Sequence, residues 1–482
     1  MGLEDHLHSL QGRYIQAPQW VRSLLGAGYA ALPQSLRHGA AYSRFAAEAA
    51  CADAAQVSAA ASEKLAATLN TALRLVPAFR RYRYLLDQIA DPLQCLALLP
   101  MTSKEDIKRA PHAYRSTAAA ARGLRAFTGG STAQPLEFLL EKHVTRARET
   151  AYVDYINSHI LGLGARDLTL SLHGRTVGSA ARAGGRIWMY EPIKRQLIFS
   201  SDHLERRYMP AYVEVLRRRR PSQIHAYPSA LLPLSRWLAE QPCTEFTDSV
   251  RGILLTSENV YPPQLQLFRR VFPRARIVRH YGHSERVLMA VAVDDTSGYR
   301  FLPLYGHLEL VDASGRRIDE PGLPGEIVGT SFDNHVMPFV RYRTGDLGVW
   351  GASGAMMPAT LESVEGRLQE FVVCKDSRLV SVTTLGAAHF AELAVADCLQ
   401  YEQRQPGLVE VNVVAPRTLY AEEISCISDA VRRKTQGGCT AQVLQVDRIE
   451  RTVRGKHRML IQHLDLSRYF GAGAVAATPP AD

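Results

Sequence analysis

The chain has no CxxC pair. Its seven cysteines, at positions 51, 95, 243, 374, 398, 426 and 439, are odd in number and far apart. That pattern speaks against a disulfide framework and a zinc ribbon, and suits a reducing cytoplasm. A long apolar run is missing too. The first residues, MGLEDHLHSLQGRY, have no hydrophobic core of signal-peptide length. The alanine-rich stretch from Ala40 to Ala67 is broken by Arg44, Glu48, Asp53, Glu63 and Lys64, so it reads as a helix of a folded domain and not as a membrane span. His6 stands where a myristoylation signal has Ser or Thr. Neither an internal repeat nor a nucleic-acid recognition module stands out. The expectation is a cytoplasmic protein with no membrane span and no nucleic-acid partner.

What is present is ordinary for a globular protein. The 482 residues, 46% hydrophobic and 22% charged, can bury a sizeable core and suggest two or three domains. The formal net charge of +10 favours anionic ligands without choosing among them. The run Arg217 to Arg220 closes an amphipathic stretch, MPAYVEVLRRRR, just before Pro221. Cations there complement a helix C-terminus, so the run reads as a solvated helix end.

Up to about Asp91 the text is rich in Ala, Leu and Arg at helical spacing. Strand-like runs then alternate with helical ones: RDLTLSLHG, SQIHAYP, VRGILLTSE and ARIVRHYG, with LLPLSRWLAEQ and YPPQLQLFRRVF between them. That alternation predicts an α/β fold whose large domain has mostly parallel sheets, with ligand sites at the carboxyl ends of the strands. From Tyr299 to Trp350 the texture becomes β-rich with SG and PG turns, predicting a β-rich subdomain of hairpins or a small barrel. After Glu365 strands and two helices restart, predicting a small α+β C-terminal domain, and GAGAVAATPPAD reads as a disordered tail.

Five stretches carry chemistry-bearing side chains. FTGGSTAQP is a Gly/Ser/Thr loop before an apolar run; RHYGHSE ends a predicted strand; YRTGD places an acid after a glycine turn; GRLQE opens the last domain; RTVRGK puts a lysine near its end. Singly, each has an ordinary reading: a connecting turn, a core aromatic beside a helix-initiating acid, a hairpin residue, a surface cation.

Together and in this order, with LPMTSKEDIKRAP, YPSALLPLSRWL, LLTSENVYPP, PLYGHLELVD and GEIVGTSFDNHVMPFVRYRTGD, they resemble the adenylate-forming superfamily of acyl-CoA synthetases. The likeness runs from about Leu99 onward and is nearest to the phenylacetate-CoA ligase and CapK branch. It implies residues 1–98 as a helical segment of the large domain, 99–365 as the core with ATP and acyl sites, 366–469 as a mobile C-terminal domain, and 470–482 as the tail. It implies an ATP- and Mg²⁺-dependent ligase that converts a carboxylic acid to an acyl-adenylate and passes the acyl group to an acceptor, by default CoA. An amine, a carrier-protein thiol, or a fold with little turnover stay open, as does the oligomeric state, a homodimer included.

The resemblance also implies roles. Thr128, Gly129, Gly130, Ser131 and Thr132 would wrap the β- and γ-phosphates, since small residues let backbone N–H groups approach. Tyr281 and Gly282 would flank adenine, Ser284 would reach the α-phosphate and Glu285 would hold the metal. Ser257 and Glu258 would join the nucleotide set. Asp346 would take the ribose hydroxyls, as an acceptor-only carboxylate can, with Arg367 a second contact. Lys456 would reach the substrate carboxylate and α-phosphate by domain rotation. Residues 152–185, 225–229 and 256–258 would shape the acyl pocket. Four positions depart from the pattern: Gly129, Ala133 and Gln134 in the loop and Gln369 at the hinge. The absence of cysteine between Cys243 and Cys374 leads to the expectation of no zinc site.

Overall fold

The computed structural model describes residues 14, 17–118, 122–128, 136–164, 167–173, 187–200, 203–204, 206–241, 245–260, 262–294, 298–312, 314–352, 354, 359–367, 371–382, 385, 396, 398–450, 458–464, 466 and 469. Helices open the chain. The longest, Ala54–Leu75, starts at Asp53, whose carboxylate accepts from the backbone N–H of Ala55 and Gln56, satisfying two donors that have no partner inside the helix.

The strands are β1 Gly123–Phe127, β2 Glu137–Glu141, β3 Thr169–Leu172, β4 Trp188–Glu191, β5 Gln196–Phe199, β6 Gln223–Ala226, β7 Gly252–Thr256, β8 Arg276–Gly282, β9 Met289–Val293, β10 Tyr299–Phe301, β11 Gly306–Val311, β12 Pro324–Ser331, β13 Tyr342–Trp350, β14 Thr360–Arg367, β15 Phe371–Val373, β16 Leu379–Ser381, β17 Cys398–Gln405, β18 Leu408–Val414, β19 Thr440–Gln445 and β20 Leu460–Gln462. Twelve of them form one sheet in the order β11-β12-β13-β14-β10-β9-β8-β7-β6-β3-β5-β4. From β5 through β3, β6 and β7 to β8 the pairing is parallel. From β8 to β9 it turns antiparallel and stays so to β11. The β-rich stretch is therefore the antiparallel continuation of the same sheet: β11, β12 and β13 pair in succession as the hairpins that the sequence suggested, within the large sheet and not as a separate small barrel.

Residue alternation along each strand sends successive side chains to opposite faces. On one face Leu170, Ile224, Ile253, Leu255 and Ile277 meet Tyr212, Leu216, Leu231, Leu234 and Phe268. These come from helices Met209–Arg219, Pro228–Ala239 and Pro262–Val271. On the other, Leu254, Val278, Met289 and Val291 pack with Phe45, Ala147, Ala151 and Tyr152, from helices Ala40–Ala50 and Thr145–Tyr155. The α/β class read from the sequence holds. Helix Met209–Arg219 ends in Arg217, Arg218 and Arg219, with Arg220 left-handed at its cap, so the basic run is a helix end.

The C-terminal part is a four-stranded sheet, β19-β18-β17-β20, packed by helix Ala421–Lys434, with the two-stranded β15-β16 beside it. Its core holds Tyr401, Val409, Val411, Val413, Ile427 and Val431. The reduced thiols of Cys374 and Cys439 lie 3.8 Å apart inside it. The second expected helix of this domain, and the tail, fall outside the described residues.

Candidate active site at the carboxyl ends of the parallel strands

Strand β8 carries the RHYGHSE stretch to the rim of the sheet, where β9 reverses direction. Tyr281 Oη donates to Asp346 Oδ2 at 2.9 Å and lies 2.8 Å from His283 Nε2, which is itself 3.2 Å from the same carboxylate oxygen. Asp346 belongs to β13, 65 residues on. A sharp local turn of backbone delivers it: Gly345 is left-handed at φ +75°, and the β13–β14 register slips between Asp346 and Leu347. Such a bulge re-aims the following side chain. Thr344 Oγ1 accepts from the Asp346 N–H at 3.1 Å, and Glu326 accepts from Gly345 N–H and from Arg343. Asp346 is 8% exposed, and on the neighbouring strand Arg367 faces it in register; the Arg367 side chain lies outside the description.

Glu285 sits at the same rim, half-buried, with Oε1 accepting from Tyr342 Oη at 2.9 Å. Ser284 is exposed. The turn that holds both is pinned from beneath. Arg286, left-handed at φ +57°, donates to the Thr145 carbonyl at 2.7 Å. Its own carbonyl accepts from Arg148 at 2.9 Å. Arg148 is fully buried; it also donates to the carbonyls of Tyr305 and Phe332 and lies 4.2 Å from the Tyr305 ring centroid. A guanidinium with five donors can tie several carbonyls at once.

Of the phosphate-loop set, Thr128 is described. Its N–H donates to the Leu136 carbonyl at 3.0 Å and its Oγ1 accepts from the Leu136 N–H at 2.9 Å. Those two bonds close the neck of the loop. Gly129, Gly130, Ser131 and Thr132 lie outside the described residues, as do Ala133, Gln134, Gln369 and Lys456. One strand from Tyr281, Ser257 follows β7 with φ +69°. Glu258 accepts from the Ser229 N–H at 3.0 Å and its hydroxyl at 2.9 Å, placing a carboxylate at the start of helix Pro228–Ala239 where the dipole favours it.

The structure thus gathers Tyr281, Glu285 and Asp346 at one rim, with Ser257 and Glu258 on the adjacent strand end. Sequence reasoning missed two contributors. His283 was visible as the third letter of YGHSE, yet its contact with Asp346 depends on strand pairing. Arg148 had no signal, since nothing local marks an arginine of a helix as a buried clasp.

A parallel α/β sheet with its polar cluster at the carboxyl rim, continued by an antiparallel segment and a small α+β unit, is the fold that the resemblance implied. No family model matches the chain, and no curated protein does. Among solved structures it is similar to 2-hydroxyisobutyryl-CoA ligase in the postadenylation state in complex with R3-HIB-AMP: TM-score 0.63, 16% identity, covering 86% of this chain and 92% of that one. The same ligase in complex with 2-HIB-AMP gives TM-score 0.62 at 16% identity over the same shares. With 2-HIB-AMP and CoA in the thioesterification state it gives 0.50 at 15% identity, again over 86% and 92%. This chain has the fold of that CoA ligase.

Proposed function

We propose that the chain is an ATP-dependent carboxylate ligase. The observation that carries this reading is the Tyr281–His283–Asp346 cluster, set at the carboxyl rim of a fold shared with a CoA ligase that binds acyl-AMP. In this reading Asp346 accepts the ribose hydroxyls, Tyr281 flanks adenine, and Thr128 with residues 129–132 holds the outer phosphates. A substrate carboxylate oxygen attacks the α-phosphorus, the bond to pyrophosphate breaks, and acyl-adenylate forms. No general base is required, because a carboxylate is ionised near neutral pH. Lys456 meets the charge that builds up between the reacting groups, as a flexible point cation can.

Glu285 fits Mg²⁺: a single half-buried carboxylate with one oxygen fixed by Tyr342 suits an ion that takes one or two protein carboxylates and completes its shell with phosphates and water. When bound, the ion offsets phosphoryl charge. The acceptor is CoA, whose thiol displaces AMP from the acyl carbon and releases a proton; an amine or carrier thiol is the alternative. The YGHSE and NHVMPFVRYRTGD stretches support the phenylacetate-CoA ligase and CapK branch, the scattered cysteines a cytoplasmic setting, and the overall resemblance the division at 98, 365 and 469 with rotation of the last unit.

The test is pyrophosphate release across a broad panel of acids, with and without CoA. Release that depends on one class of acid is the expected outcome. ATP binding with no acid-dependent release from any member would reduce the protein to a nucleotide binder.

A further inference from the structure

On the opposite side of β8 from Tyr281 lies a second polar group that the nucleotide reading does not use. Alternation and strand register place Ser171 from β3, His225 from β6, Thr256 from β7 and His280 from β8 along one face at the carboxyl ends, and His173 follows β3 directly. The His173 and His225 rings stack at 4.4 Å and 21° between planes, and Tyr227 meets His173 edge-on at 6.2 Å. Ser171 Oγ lies 2.7 Å from His173 Nδ1, and Thr256 Oγ1 lies 3.5 Å from His225 Nε2. The row is continuous across four strands.

His280 ends the row, and its Nε2 is shut off from solvent with no hydrogen-bond partner. Burial pushes its pKa below the usual histidine value, so the ring presents a neutral imidazole edge. Gly282, exposed at the rim, keeps a side chain off that edge: a Cβ there would stand 2.9 Å from His280 Cε1 and 3.4 Å from Nε2. A molecule whose carboxylate is activated beside Tyr281 and Asp346 would cross there and lay its other end along the imidazoles.

We infer that the acid this site activates bears a second oxygen group, a hydroxyl or a second carboxylate, bound by the His173–His225–Thr256–His280 row. This rests on the ligase reading of the same site. An alkyl or plain aromatic tail would cover the His280 imidazole without returning a hydrogen bond, which is costly for a buried polar atom. An oxygen group supplies the partner that His280 Nε2 lacks.

The experiment compares matched acids on the full-length protein by acid-dependent pyrophosphate release: propionate with lactate and 3-hydroxypropionate, butyrate with succinate, and benzoate and phenylacetate as aromatic members. Expected is a kcat/KM preference of at least about 100-fold for an oxygen-bearing member over its alkyl match, as for sites built around a substrate hydroxyl. His225→Phe, which keeps a ring in the stack, should cut that ratio at least about tenfold, and His225→Gln should restore part of it. Alkyl or aromatic acids used equally well or better would overturn the inference while leaving the ligase reading standing. A ratio unchanged in a folded His225→Phe protein, checked by its melting temperature, would overturn it too. Release from no acid at all would take down both. The hydroxy and dicarboxylic arms tell the two oxygen groups apart, and the wild-type panel decides even where a variant fails to fold.

Discussion

Strands β3, β5, β6 and β7 bury Leu, Ile, Phe and Ala against three helices, and none of their described residues is a buried charge. Beyond β9 the same sheet is assembled differently. Glu309 and Arg341 form a two-pronged pair at 3.0 and 3.2 Å, with side chains 4% and 9% exposed. Glu326 is buried too, while its partner Arg343 reaches solvent. Apolar packing stabilises without dictating one arrangement to better than a rotamer, whereas a buried ion pair tolerates few geometries. The half of the sheet that aims Asp346 is the half that holds buried charges.

Four measurements would break or sharpen that contrast. Arg341→Met leaves Glu309 buried without its partner and should cost about 3–5 kcal/mol by urea unfolding. The double change Arg341→Met, Glu309→Leu should recover most of the loss; equal costs for single and double would show that the charges are incidental. In the apolar half, Leu231→Ala should cost about 2–5 kcal/mol through the cavity it leaves, while each molecule still folded retains its nucleotide site.

His307 of β11 supplies a pH signature for the charged half. Burial, reinforced by Arg317 and Arg341, lowers its pKa to about 4 from an ordinary 6.5. The unfolded chain binds the proton more readily, so stability is present above pH 6.5 and declines as pH falls toward 4, by about 3 kcal/mol from this group alone. His307→Gln should flatten that part of the stability curve, unless substitution disturbs packing at all pH values equally. The smallest effect is expected from Asp346→Asn: a rise of roughly tenfold in KM for ATP, about 1.4 kcal/mol, with the melting temperature nearly unchanged. A large loss of stability there would mean that the Tyr281–His283–Asp346 cluster is chiefly structural.

Much of this was legible in the letters, for local reasons. RDLTLSLHG, SQIHAYP, VRGILLTSE and ARIVRHYG each contain a strand of the parallel segment, because short β-branched and aliphatic runs ending in polar residues have few other folded solutions. Tyr281, Glu285 and Asp346 are singled out by the company and order of their stretches, through the resemblance, and not by their own neighbours. What was illegible depends on pairing between distant strands. The β-rich stretch gave no sign that β14 would join β10 and continue one sheet. Nor could spacing show that His173 and His225 would stack, since β3 and β6 are neighbours with two other strands between them in the chain.

Arg341 also sets a clock. Its guanidinium donates to the Leu99 carbonyl, 242 residues earlier, at 2.9 Å, and to that of Ala97. Thr102 exchanges backbone hydrogen bonds with Arg341 and Arg343. At a ribosomal pace of about 5–20 residues per second, the segment around Leu99 would wait roughly 10–50 s for its partner to be made. During that interval Leu96, Leu99 and Leu73, whose core also contains Phe332 and Val340, lack the residues that cover them. The nascent chain should therefore hold an apolar surface open long enough for chaperones to find it, and refolding from denaturant should slow with the same long-range closure.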